Sequence, residues 1–244
     1  TAAALALTAA GFTGAGAATA ASRAAGPAVY SGQYAGYQAA GRWFRYVATT
    51  VTVPPRTLSY LNSGSAFIGL DGRYAAWINV DPGGGADSVG YAAANVGTGP
   101  FRLAPRVGDR LTIGIYYDQR GHIFFTVTDL TRRAAQTVML YVGRLIYPAA
   151  RLWVQTDRVR SVVPPAASTR LWQFTGSRLT TYSGDHGTIT GPWTTSKMIT
   201  TTTGTASGTV IVSPSGLSSG GRDFTAWFRA LPLGVRFRVS CRNV

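Results

Sequence analysis

Residues 111–128, LTIGIYYDQRGHIFFTVT, decide the fold class. Leu111, Ile113, Ile115 and Tyr117 are apolar at every second position, and after Asp118-Gln119-Arg120-Gly121 the alternation resumes at Ile123, Phe125 and Val127. A period of two puts these side chains on one side of a pleated strand, and Gly121 suits the left-handed position that closes a hairpin. The stretch predicts a hairpin with one buried face. Similar runs rich in Val, Ile, Thr and aromatics predict strands at 44–53, 65–70, 74–80, 88–95, 136–142, 151–157, 169–175, 196–202, 208–212 and 223–228. Helical signals are almost absent after residue 40, so the chain reads as all-β, of the sandwich or barrel kind.

Length and composition bound the rest. With 244 residues, 45% of them hydrophobic, the chain can bury a full core as one main domain, placed at 26–244. Residues 1–25 are mostly tiny and apolar and reach Ala18-Thr19-Ala20, the pattern that ends a secretory signal; the expectation is an export leader, with an Ala-rich linker as the alternative, and an extracellular protein. No later run is long enough for a membrane span. The tail 235–244, VRFRVSCRNV, alternates Val235, Phe237 and Val239 with Arg236 and Arg238, as a basic edge strand does; a frayed basic end is the alternative.

Composition also removes mechanisms. All nine acidic residues are aspartate, so any chemistry that requires glutamate is excluded. Cys241 is the single cysteine, which rules out an internal disulfide and a cysteine zinc site. Two histidines, His122 and His186, lack spacing to shared carboxylates, and Gly83-Gly84-Gly85 opens no helix, so neither a metal nor a phosphate-bearing cofactor is expected. Ser183, Asp185 and His186 are too close in sequence to converge as a triad, and turn chemistry accounts for them. The net charge of +14 favours polyanions, but the basic residues are scattered along the chain. Even with Arg42-Trp43-Phe44-Arg45-Tyr46 included, no dedicated stripe for nucleic acid is visible.

In order, FRYVATTVTVPP (44–55), AFIGLDG (66–72), a strand ending in NVDP (79–82) and VGDRLTIGIYYDQRGHIFFTVTDLTR (107–132) resemble the glutamic peptidases, or eqolisins, and their secreted relatives. The resemblance implies two antiparallel sheets stacked as a concanavalin A-like jelly-roll sandwich with a groove across the concave face. In that family a glutamate activates water and a glutamine steadies the tetrahedral intermediate. The glutamate position falls on Gln155, whose amide cannot act as a base. The glutamine position falls on Trp77, or on Asn79 if the alignment shifts by two. The resemblance therefore implies a sandwich without its family's catalytic pair, and no catalytic residue is expected.

The same placement shows a repeated pattern. Trp77, Asn79 and Asp81 alternate with Ile78 and Val80, and Trp153, Gln155 and Asp157 alternate with Leu152 and Val154. Period-two geometry points each Trp, amide, Asp set to one face, away from the aliphatic set. Flat rings beside short polar groups suit a sugar, so the six residues are the candidate ligand site, in the concave groove that the resemblance implies, for a polysaccharide or an anionic envelope polymer. Three alternatives stay open: a half-solvated sheet face whose tryptophans cover each other, a hydrolase in which Asp81 and Asp157 replace the lost base, and a surface or structural protein whose ligand is another protein.

Overall fold

The computed structural model describes residues 26–55, 64–80, 87–94, 96–144, 146–156, 169–218 and 220–228. The expected leader at 1–25 and the basic tail lie outside them, as do Asp81 and Asp157. Among the described residues the chain forms β1 (Val29–Ser31), β2 (Tyr34–Ala40), β3 (Phe44–Thr52), β4 (Gly64–Leu70), β5 (Tyr74–Asn79), β6 (Ser88–Ala93), β7 (Gly97–Pro100) and β8 (Arg110–Tyr117). These are followed by β9 (His122–Asp129), β10 (Ala134–Tyr141), β11 (Ala149–Thr156), β12 (Thr169–Thr181), β13 (His186–Gly187), β14 (Thr194–Thr201), β15 (Val210–Pro214) and β16 (Phe224–Phe228). No helix is present among them.

The hairpin read from the sequence is β8–β9. Leu111, Ile113, Ile115 and Tyr117 pair with Asp129, Val127, Phe125 and Ile123, and all eight are fully buried. Gln119 and Gly121 take positive φ, and Asp118 Oδ1 accepts the N–H groups of Arg120 and His122, which closes the turn. Asp129, buried at the far end, is held by Arg132, whose Nε donates to Oδ2 at 2.7 Å while the guanidinium also reaches Asp109 at 3.1 Å. The hydrogen-bonded order β10-β9-β8-β3-β12-β16 makes the first sheet, and β14-β2-β11-β4-β5-β6-β7 the second. β15 pairs with both β16 and β14, and so links the two sheets edge to edge. Every pairing is antiparallel except that of β1 with β14.

The sheets stack as a sandwich, with β3 packed over β4 and β11, and β8 over β4 and β5. Between them lie Val47 and Val51 of β3, Ile113 and Ile115 of β8, and Ala66, Ile68, Ile78, Leu152 and Val154 of the second sheet. All of these are removed from water, as the alternation demands.

Several features depart from the sequence reading. β2 was not predicted, because Ala and Gly favour strands weakly; it is held in place by its two neighbours, β14 and β11. The short β1, β7 and β13 are likewise absent from that reading. The strand expected at 169–175 runs on to Thr181 through an irregularity between Thr175 and Arg178. There Gly176 takes φ 63° and Ser177 turns inward to meet Thr49 Oγ1 at 3.0 Å.

Candidate functional site

The site is built outward from β4. Its last residue, Leu70, leads into Asp71 and Gly72, both with positive φ (53° and 67°), and Arg73 N–H returns to the Leu70 carbonyl at 3.3 Å. Two left-handed residues make a turn whose twist matches the flanking strands, which is why AFIGL ends on Asp-Gly. The turn fixes the register of β4 on β5: Leu70 opposite Tyr74, Phe67 opposite Trp77, Ser65 opposite Asn79. On its other side β4 pairs with β11, so that Phe67 faces Trp153 and Ser65 faces Gln155. Beyond β11, Trp153 meets Gly36 and Gln155 meets Tyr34 of β2.

Because Ala66, Ile68, Ile78, Leu152 and Val154 take the core side, the alternate residues share the outer face. They fall into three rows across the strands. One row carries Asn79, Ser65, Gln155 and Tyr34; the next carries Trp77, Phe67, Trp153 and Gly36; the third carries Ala75, Gly69, Arg151 and Gln38. The structure thus brings Trp77, Asn79, Trp153 and Gln155 together on one face. It adds Phe67, Ser65, Tyr34 and Arg151, which the sequence reading did not name.

The rings form a continuous ladder. Phe67 stacks on Trp153 with centroids 5.2 Å apart and planes at 11°, Trp77 tilts against Phe67 at 6.0 Å, and Tyr34 sets its edge to Trp153 at 6.3 Å. Gly69 makes room for this arrangement, since a Cβ there would come within 2.8 Å of the Trp153 ring. Gly90 of β6 lies against the Trp77 ring in the same way. Trp153 is only 8% exposed and its buried Nε1 donor has no partner among the described residues. It forms the interior of the ladder rather than an open platform. The rings that reach solvent are those of Tyr34, Phe67 and Trp77.

The polar groups are ordered too. Ser65 Oγ donates to Asn79 Oδ1 at 2.9 Å, and Arg151 Nε donates to Gln38 Oε1 at 2.7 Å, which holds the guanidinium beside the ladder. Elsewhere the histidines are engaged: His122 Nδ1 lies 2.9 Å from Asp118 Oδ2, and His186 Nδ1 lies 3.1 Å from Thr180 Oγ1. Ser183 Oγ donates to Asp185 rather than to His186, so those three residues form no catalytic relay. No group of three or more potential metal ligands occurs among the described residues. Burial pushes the Tyr37 hydroxyl, beneath the face, up to about 12.

No protein-family model matches the sequence, and no curated protein matches it. Solved structures do. The chain superposes on scytalido-glutamic peptidase crystallised with a transition state analog inhibitor with a TM-score of 0.62 at 13% identity, over 82% of this chain and 100% of that one. A second structure of the same peptidase, with a peptide-based transition state analog, gives 0.57 at 16% identity, over 82% and 100% of the two chains. SCP-B, a member of the eqolisin family in complex with the tripeptide Ala-Ile-His, gives 0.59 at 15% identity, over 81% and 98%. At such identities the likeness speaks for architecture, and the chain is an all-β sandwich with the fold of the glutamic peptidases.

Proposed function

We propose that this protein is an exported, non-catalytic binding protein that holds a polysaccharide or an anionic envelope polymer along the outer face of β2, β11, β4 and β5. The observation that carries the reading is the ring ladder Tyr34–Trp153–Phe67–Trp77 with the amides of Asn79 and Gln155 in the row beside it. Rings present flat apolar surface to the C–H faces of pyranoses, and amides exchange hydrogen bonds with their hydroxyls. The same spacing along several strands suits an extended chain better than a compact ligand. Arg151 supplies positive charge at the border of the ladder, which extends the reading to acidic polymers.

Binding is favoured over turnover by the chemistry of the chain. Gln155 carries an amide where the sequence resemblance sets the family's general base, and the sequence holds no glutamate to replace it. The competing reading is a hydrolase that works through Asp81 or Asp157. Both readings meet in one experiment: a glycan array and a peptidase assay on denatured casein between pH 2 and 7, run on the wild type, Trp77→Ala and Asp157→Asn. The proposal expects a retained glycan, bound roughly tenfold more weakly by Trp77→Ala, and no turnover. Turnover that disappears in Asp157→Asn would replace it with the hydrolase.

A further inference from the structure

The loop Gly41-Arg42-Trp43 carries the chain from β2 in the second sheet to β3 in the first. It forms one wall of a cleft of about 370 Å³ at the end of the sandwich, with Pro148 before β11 and Tyr182-Ser183 after β12 as the others. Trp43 is 58% exposed, whereas Trp172 and Trp193 are sealed in the core at 0% and 1%. An indole left in water adds little to the core, yet its backbone is tightly fixed. The Trp43 carbonyl accepts the Tyr182 N–H at 2.9 Å, and the following N–H, of Phe44, donates to the Tyr147 carbonyl at 2.7 Å. A large ring on a rigid frame can be covered by a ligand with little loss of conformational freedom.

Two polar groups flank that ring. Arg42 donates to the Pro192 carbonyl through Nε at 3.5 Å, and no carboxylate lies within ion-pair distance of it among the described residues. On the opposite wall the Ser183 hydroxyl donates to Asp185 Oδ2 at 2.7 Å, joined there by Thr181 Oγ1 at 3.0 Å. These two hydrogen bonds, Ser183 first, hold the Asp185 carboxyl below its usual range, and the Arg42 charge lowers it further. The Ser183 oxygen keeps a lone pair for an incoming hydroxyl.

We propose that this cleft is a second binding site, distinct from the ring ladder, for a single acidic sugar residue of the uronate kind. Its ring lies on Trp43, its carboxylate meets the Arg42 guanidinium, and a hydroxyl donates to Ser183. A guanidinium with no carboxylate at ion-pair distance, beside an open indole, selects for a ligand with both an apolar ring face and a negative charge; a uronate has both and a neutral hexose only the first. The site is built from the loops between the sheets, so it stands whether or not the outer face of the second sheet takes a ligand.

The test titrates tetragalacturonate and neutral tetragalactose into the full chain at physiological salt, followed by calorimetry and indole fluorescence. The wild type is expected to prefer the acidic oligomer. Trp43→Ala should weaken that binding roughly tenfold with an unchanged melting temperature, and Trp43→Phe should recover part of it. Arg42→Gln should abolish the preference for the acidic over the neutral oligomer. Arg110→Gln removes an equal charge at the opposite end of β3, where Arg110 pairs with Thr52, and should leave binding intact. Equal weakening by Arg110→Gln would mean diffuse attraction to the whole surface and would overturn the site. So would a lack of binding by the wild type, or binding lost in Trp77→Ala and kept in Trp43→Ala, which would move the acidic oligomer to the ring ladder.

Discussion

Trp153 shows how one side chain can belong to a face without being offered to solvent. Phe67 covers one side of its ring, Tyr34 approaches with an edge, and Gly69 lies beneath, so truncation removes packing as well as any ligand contact. Trp153→Ala is expected to cost about 3–5 kcal/mol of stability, the range for a buried aromatic. Trp77, half-buried at the end of the ladder, should cost clearly less when truncated. Urea melts of the two variants check this, and equal midpoints would contradict the ladder geometry. Sequence alone could not draw the distinction: both tryptophans precede an amide by two positions in alternating strands. What separates them is Phe67, and in AFIGL both faces of the strand are apolar, so nothing local says that Phe67 leaves the core.

At the scale of elements, the β4–β5 turn sets which residues of the site stand opposite one another. A side chain at Gly72, where φ is 67°, is strained in the left-handed region. Gly72→Val should therefore lose roughly 1–2 kcal/mol. Thermal melts measure the loss, and an unshifted transition would show that the turn does not constrain the hairpin. Elements with strong alternation were legible: the β8–β9 hairpin and strands β3, β5 and β11 lie where Leu111, Val47, Ile78 and Leu152 put them. β2 was not, because Tyr34-Ala35-Gly36-Tyr37-Gln38-Ala39-Ala40 has small residues where other strands carry Val or Ile. With it went Tyr34, Gln38 and the outer border of the site. A Cβ on Gly36 would run into the backbone of Leu152 and Trp153, so close approach explains the small residue that hid the strand.

For the whole molecule, charge and proton binding give two further expectations. The +14 charge is spread over the chain, so binding to acidic polymers should be measurable at low salt, show little sequence preference for nucleic acid, and fall steeply as salt rises. A salt-resistant, sequence-selective nucleic-acid complex would contradict this. Asp129 is raised by burial but lowered further by the Arg132 and Thr131 hydrogen bonds and the Arg132 charge, and it ends below 3.8. Asp118 is likewise raised by burial and brought down further by His122 and Arg120. Carboxyls depressed on folding contribute stability above their unfolded pKa and lose it as pH falls through the folded value. The melting temperature should thus hold from pH 7 to 5 and drop below about pH 4, less steeply in Asp129→Asn, as calorimetry over pH would record. A final consequence belongs to β15. It joins the sheets through two residue pairs with β14 and three with β16, one of them at Pro214, which has no N–H to give. Along that side a few peptide groups act as the zip of the sandwich. Amide protons of Ile211 and Val212 should then exchange with deuterated water well before those of β3 or β11, and the molecule should breathe by unfastening at this seam while the rows on β4 keep their register.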